Sequence, residues 1–300
     1  MEPDRRTSRD RAFHEVDLLD WVFAQTSPVA SMRSHVETGY VRSNGARLFY
    51  ERQGRGFPVV FVSGGGVMDR RCWDEEFQSF ARYFSVIRYD VRGIGKSERP
   101  REEFSHSRDL YELLKALKVK RAHVIGLSVG GAIAIDFTLE HPEMVDHLVL
   151  AASGLSDDAK AEENQQGLTM LSEMTRKQGI ESVAQLTVDA PFVISKENET
   201  QRERIKRIYI DNRDVFESGF PIYSLWRPTL SAGARLSEIH APTLVVRGDK
   251  DNPAYIKITE KIASAIQEAR KIVIPGGTHF INLDKPKEFT EAVLNFLRRE

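Results

Sequence analysis

The sequence predicts an α/β fold: a mostly parallel eight-stranded sheet flanked by helices, with a helical insert over one edge. From Thr38 onward, short β-branched runs alternate with helix-period stretches to the end of the 300-residue chain, and such alternation implies parallel strands covered on both faces. Between Gly154 and about His240 the rhythm stops for longer than a connecting loop allows. The third observation is local. Gly126-Leu127-Ser128-Val129-Gly130 follows directly on the apolar run His123-Val124-Ile125 and leads into Ala132-Ile133-Ala134-Ile135, which sets a serine between a strand end and a buried helix.

Two short strands near Gly39–Arg42 and Arg47–Arg52 open the sheet. Six clearer β-rich runs follow at Val59–Ser63, Ser85–Tyr89, His123–Gly126, His147–Ala151, Thr243–Arg247 and Lys271–Ile274. Helical patterns fit near Trp73–Tyr83, Ser107–Leu117, Val129–Glu140, Tyr255–Ile266 and Pro286–Arg298. The main domain is therefore expected to comprise residues 38–154 and 241–300. Residues 155–240 are rich in charge, carry Leu168, Leu171 and Met174 at helical spacing, and read as a helical cap inserted after the sixth strand and folded over Ser128. Within that interval Lys196–Arg207 is a dense charge run, the pattern of a solvated helix face. Residues 1–37 form an N-terminal extension in which Phe13, Val16, Leu19 and Phe23 recur at helical spacing until Ser27-Pro28. They read either as an accessory amphipathic helix or as a mobile tail.

A serine on a sharp strand-to-helix turn needs neighbours with almost no side chain, because the backbone is strained and the helix must start without collision. Gly126, Gly130, Gly131 and Ala132 meet that need. The helix beginning at Val129 would also favour negative charge developing beside Ser128. Two candidate partners follow in the order serine, acid, histidine. Thr243–Arg247 ends in Gly248-Asp249-Lys250-Asp251, two carboxylates at a strand end, and Lys271–Ile274 closes through Pro275-Gly276-Gly277-Thr278 on His279. An imidazole can take the serine proton and return it to a leaving group if a carboxylate fixes its tautomer. Backbone donors for an oxyanion are the remaining requirement, each worth about 3 kcal/mol of transition-state stabilisation. Val129 N–H supplies one. The loop Ser63-Gly64-Gly65-Gly66 after Pro58–Val62 supplies the other, assigned to Gly65.

These motifs together resemble the α/β-hydrolase fold superfamily, with a serine esterase- or lactonase-like pattern, over about Thr38 to Glu300. Asp90-Val91-Arg92-Gly93-Ile94-Gly95-Lys96-Ser97 is similar to that family's DxRGxGxS loop, and Trp73 stands where the family often carries tryptophan. The resemblance implies Ser128 as nucleophile, Asp251 rather than Asp249 as acid, and His279 as base. In two places the chain departs from the pattern. Ser63 replaces the histidine usual before the first glycine of the oxyanion loop, and His279 follows Gly276-Gly277-Thr278 instead of a strict glycine-small-glycine turn.

Several classes are excluded or weakened. Gly95-Lys96-Ser97 lacks the upstream glycine of a phosphate loop, because Asp90 occupies that position. Haloalkane and epoxide cleavage on this fold need aspartate where Ser128 stands. An aminopeptidase-like variant shows an HGGPG loop where this chain has Ser63-Gly64-Gly65-Gly66-Val67. Cys72 is the only cysteine, so no disulfide framework or cysteine-based zinc site exists; beside Trp73 it reads as helix packing. His14, His35, His106, His123, His141, His147 and His240 show no metal-ligand spacing, so no metal and no cofactor are expected. With 43 basic and 44 acidic residues the chain has little field to recruit nucleic acid. No apolar stretch approaches a membrane span, nor is there a convincing signal peptide, so the cytoplasm is the default location.

The expected function is cofactor-independent hydrolysis of a carboxylic ester or lactone of a small organic molecule through an acyl-enzyme on Ser128. Carbon–carbon bond hydrolysis of a diketone on the same triad is the nearest alternative. A ligand-binding receptor with little turnover is another, and homo-oligomer formation is left open. In the insert, Pro191-Phe192-Val193-Ile194 and Pro221-Ile222-Tyr223-Ser224-Leu225-Trp226 carry the candidate pocket residues Phe192, Tyr223 and Trp226, which read equally as cap core.

Overall fold

In the computed structural model of the chain, eight strands form one sheet in the order β1-β2-β4-β3-β5-β6-β7-β8. Residues 35–64, 67–159, 162–217, 225–229 and 231–298 are described by the structure. The stripe from Phe13 to Phe23 lies outside them.

Strands β1 (Glu37–Ser43), β2 (Ala46–Gly54) and β4 (Ser85–Tyr89) pair antiparallel at one side of the sheet. From β4 onward every pairing is parallel: with β3 (Pro58–Val62), then β5 (Ala122–Leu127), β6 (Val145–Ala151), β7 (Thr243–Gly248) and β8 (Arg270–Ile274). The central strands are buried on both faces, which is why they read as continuous runs of Val, Ile and Leu rather than as alternating patterns. Parallel strands demand crossovers. These are α1 (Asp74–Phe80), α2 (His106–Ala116), α3 (Val129–Glu140) and, further along, α9 (Pro253–Ala265), while α11 (Pro286–Leu297) follows the last strand. The first of them is shorter than the expected Trp73–Tyr83, because Arg70–Trp73 is a 3-10 turn capped by the Asp69 carboxylate on Arg71 N–H. A short helix α10 (Ile281–Asp284) links the His279 loop to α11.

Between β6 and β7 the chain runs through α4 (Ser156–Ala159), α5 (Glu162–Gln178), α6 (Ile180–Asp189), α7 (Glu199–Asp211) and α8 (Asp214–Glu217). Lys196–Arg207 is not wholly a solvated face: Gln201 and Ile205 are buried, and Gln201 Nε2 donates to Glu75 Oε1 at 2.6 Å. Asp136 on α3 binds both legs of this insert. Its Oδ1 accepts from Ser156 Oγ at 2.6 Å and its Oδ2 from Thr229 N–H at 3.2 Å, while burial pushes its pKa up to about 7.

The loop after β4 is pinned by buried charge. Arg92 donates from Nε to Asp109 Oδ2 at 2.7 Å and from Nη2 to Asp109 Oδ1 at 2.5 Å and to Ser43 O at 2.7 Å. Asp90 accepts from Arg70 N–H, Arg70 Nη1 and Lys96 N–H, each at 2.9 Å. Each charge thus meets a partner with directed donors, the condition under which burial of ions is tolerated. Cys72 and Trp73 are fully buried, with the Trp73 ring tilted against those of Phe61 at 4.7 Å and Phe289 at 6.0 Å, in line with a packing role. Among the described residues no helix is long and apolar enough to cross a membrane.

Glu76 on α1 is fully buried beside Asn282, its Oε1 without a hydrogen-bond partner among the described residues. Burial raises its pKa from the ordinary 4.5 to about 8. A carboxyl raised in the folded state contributes stability that is complete below about pH 4.5 and is lost as pH climbs through about 8. Glu76→Gln keeps the shape and cannot ionise. In urea unfolding across that range, its stability should gain on the wild type by up to about 1.4 kcal/mol per pH unit, levelling off above pH 8; parallel curves would contradict the assignment.

Candidate active site

Ser128 joins β5 to α3 at φ 55° and ψ −117°, a region a non-glycine residue occupies only when its surroundings enforce it. The enforcement is visible. Ser128 N–H donates to Ala151 O at 2.9 Å, and Ser128 O accepts from Gly131 and Gly154 N–H at 3.0 Å each. Helix α3 passes so close to β3 that a Cβ on Gly130 would stand 2.3 Å from Val62 O. The hydroxyl is thereby lifted over the carboxyl edge of the sheet, with Val129 N–H at the first helical position, where no intrahelical acceptor is available.

Three side chains that are distant in sequence meet there. His279 Nε2 lies 2.9 Å from Ser128 Oγ, and His279 Nδ1 lies 2.9 Å from Asp251 Oδ1. All three are at least nine-tenths buried. The acid is placed by the end of β7, which approaches the histidine loop so tightly that a Cβ on Gly248 would sit 1.9 Å from Gly277 O. Asp251 Oδ1 also accepts from its neighbour Asn252 N–H at 2.6 Å. Asp249 is exposed and turned to Gly276 N–H, at 2.6 Å from its Oδ1, so it braces the loop and does not touch the imidazole. Tyr255, at the start of α9, was not singled out by the sequence; its ring lies 4.3 Å from that of His279. Cys72, the other potential nucleophile, has its thiol pushed up by burial and so stays protonated.

The histidine loop is clamped to the insert. His279 N–H donates to Phe192 O at 2.8 Å and Phe280 N–H to Val193 O at 3.2 Å. Below them Asp284 Oδ2 accepts from Thr278 Oγ1 at 2.9 Å, Thr278 N–H at 3.1 Å and Ser195 Oγ at 2.8 Å, and its Oδ1 faces Ser195 N–H at 3.3 Å. Phe192, which the sequence left open between pocket wall and cap core, uses its carbonyl to hold the His279 loop, with its ring packed against the buried core. Trp226 is 1 % exposed, edge-on to His106 at 5.2 Å, with its backbone bridged to Phe104. An aromatic ring this well enclosed serves packing; the sequence pattern cannot separate that from lining. Gly65 and Tyr223 lie outside the described residues. Ser63, in the position where a histidine is usual, points its hydroxyl to Tyr89 O at 3.5 Å.

A family model of the alpha/beta hydrolase fold matches residues 58–286. The chain belongs to that family. Among curated relatives it is 26% identical over 277 residues to the 2-hydroxy-6-oxo-6-(2'-aminophenyl)hexa-2,4-dienoic acid hydrolase of Metapseudomonas resinovorans, covering 87% of this chain and 90% of the relative. Among solved structures it resembles Est816, described as an N-acyl homoserine lactone degrading enzyme, at 27% identity and TM-score 0.69, over 86% of this chain and 100% of that one. A thermophilic esterase from Thermogutta terrifontis shares the fold at TM-score 0.74 with 22% identity, over 88% and 98% of the two chains. Hydrolases of this fold are thus the chain's relatives. One group of side chains able to hold a metal ion occurs among the described residues, His123, Asp146 and His147, at the opposite edge of the sheet from Ser128.

The Asp284 clamp yields a direct test. Asp284→Ala strands the Thr278 and Ser195 donors and should cost about 2–4 kcal/mol, measured by urea denaturation. Asp284→Asn, which retains one acceptor oxygen, should cost less than half of that. Equal losses in the two variants would show that the carboxylate does not hold the loop.

Proposed function

We propose that this chain is a serine hydrolase that cleaves a carboxylic ester or lactone of a small organic molecule. One observation carries the reading: the hydrogen-bonded line from Ser128 Oγ through His279 to Asp251, with 2.9 Å at each step. Ser128 Oγ attacks the carbonyl carbon while its proton passes to His279 Nε2. Asp251 keeps the other ring proton on Nδ1 and offsets the imidazolium charge. The tetrahedral oxyanion is held by the N–H groups of Val129 and Gly65. Collapse expels the alcohol, which takes the proton from His279 Nε2 and leaves an acyl group on Ser128. A water then gives its proton to His279 and attacks the acyl carbon, and collapse of the second tetrahedral intermediate frees the acid and returns the proton to Oγ.

The likeness to an N-acyl homoserine lactone degrading enzyme favours a lactone among the substrates. A second reading is kept because of the Metapseudomonas resinovorans relative. The acid in its name carries a ketone and no ester, so its hydrolysis must break a carbon–carbon bond. Such a substrate would need the leaving carbon to be converted to an electron sink before cleavage, whereas an ester needs only a protonated alkoxide.

A fluorophosphonate probe should label the wild type and not Ser128→Ala. Against a reactive aryl ester, Asp251→Asn should lower kcat on the order of 10³- to 10⁴-fold, and Asp249→Asn by no more than about threefold. Labelling elsewhere in the chain, or equal mild losses in the two asparagine variants, would remove the catalytic assignment. Product analysis with a lactone panel beside a ring-cleavage diketone separates the two substrate readings, and turnover confined to the diketone would favour the second.

A further inference from the structure

At the amino edge of the sheet, the pairing of β5 with β6 is irregular. Ala122 pairs with Val145 and Val124 with Leu148, so Asp146 and His147 together stand opposite the single residue His123. Successive residues on a regular strand point to opposite faces; an extra residue in one strand is the device that re-aims them. Here both side chains turn toward His123. His147 Nδ1 lies 2.7 Å and His123 Nδ1 3.2 Å from the same oxygen, Asp146 Oδ2, and one potential ligand atom from each of the three residues lies within 4.8 Å of the others.

We propose that His123 Nδ1, His147 Nδ1 and Asp146 Oδ2 form a binding site for one divalent transition-metal ion of the zinc class. Two imidazoles and a carboxylate suit such an ion, whose ligand atoms at roughly 2.0–2.2 Å from the metal stand about 3.4 Å from one another when tetrahedral. His123 is 5 % exposed, and its Nδ1, 3.2 Å from Asp146 Oδ2, makes no directed hydrogen bond among the described residues. A buried ring nitrogen without a directed partner is costly, and a metal bond would satisfy it. The other carboxylate oxygen, Oδ1, is held by Arg121 Nη1 at 3.1 Å. Arg121 thus orients the carboxylate from outside and leaves Oδ2 for the ion, as groups behind metal ligands commonly do, although its charge also weakens the affinity. Phe57 and Phe84 enclose the His123 ring at 4.6 and 5.6 Å, and Phe296 lies 5.2 Å from His147. The Asp146 side chain is 19 % exposed, which provides the entry side and room for a water as fourth ligand.

On binding, each imidazole ligates as the neutral tautomer protonated on Nε2, and the ion replaces the proton that otherwise lies between His147 Nδ1 and Asp146 Oδ2. His123 and Ser128 are five residues apart on one strand, about 16 Å at ~3.3 Å per residue. The ion therefore braces β5 against β6 and takes no part in chemistry at the serine.

The full chain, stripped with a chelator, is titrated with zinc chloride by calorimetry and followed by thermal unfolding. One equivalent should bind with Kd in the micromolar range or tighter, and zinc should raise the unfolding temperature. Asp146→Asn, at a partly exposed position, and His147→Gln, at a buried one, should each weaken binding at least tenfold and abolish the thermal shift; circular dichroism establishes that each variant is folded. His240→Gln, outside the cluster, should bind as the wild type does. Absence of stoichiometric binding by the wild type, or variants at Asp146 and His147 that bind zinc unchanged, would overturn the site and leave an ion-free His-Asp-His contact.

Discussion

The backbone of Ser128 has to be held in a conformation it would not choose, and the packing around it supplies the force. The conformation at φ 55° persists because Gly130 lets α3 press against β3 and because β6 and the following turn bond both polar groups of the Ser128 peptide. A side chain at position 130 would push α3 off the sheet and let the turn relax. Its hydroxyl would then leave the line on which His279 waits. Strain of this kind is stable only while several rigid elements agree on it, and three adjacent parallel strands, β3, β5 and β6, provide that agreement.

The second constraint is that the two partners of Ser128 arrive on separate loops. Asp251 and His279 share no element, so their separation depends on the contact of Gly248 with Gly277 on one side and on the insert on the other. The hydrogen bonds from His279 and Phe280 N–H to Phe192 and Val193 O make the insert a member of the frame that holds the imidazole. Asp136 fixes the same insert to α3 at both legs. Serine and histidine are thus joined twice: directly at 2.9 Å, and by a longer path through α3, the insert and the histidine loop. Displacement of the Phe192–Ser195 segment would move the His279 imidazole before it moved Ser128, because Ser128 is anchored in the sheet.

What the sequence made legible follows from how local each signal is. Parallel strands buried on both faces appear as runs such as Val59-Val60-Phe61-Val62, and their carboxyl ends mark where Ser128, Asp251 and His279 must emerge. The choice between Asp249 and Asp251 is a matter of backbone direction over two residues. Periodicity does not contain it; the Gly276 N–H that captures Asp249 does. The insert was legible as helical but not in its contacts. Phe192 acts through a carbonyl, which every residue has, and Trp226 is enclosed by Phe104 and His106 from a distant stretch of the chain. The cluster at His123 was invisible for a related reason: ligand spacing is sought within one element, whereas this one spans neighbouring strands and needs an inserted residue to turn Asp146 and His147 the same way.

The two substrate readings place different demands on the same frame. An ester asks the histidine to protonate an oxygen that already carries the departing charge, and under the proposed assignment Ser128, His279, Asp251 and two backbone donors would supply that. A carbon leaving group is far more basic, so the pocket must first convert the substrate into a form whose electrons can flow away from the breaking bond. That conversion requires polar groups aimed at atoms well beyond the scissile carbonyl. The β5, β7 and β8 strand ends carry Ser128, Asp251 and His279, so on that reading such groups would come from elsewhere, the insert between β6 and β7 among the sources. On the proposed function the division of labour would be spatial: the sheet edge would set the attack on a carbonyl, and the walls of the pocket would set which bond next to that carbonyl breaks.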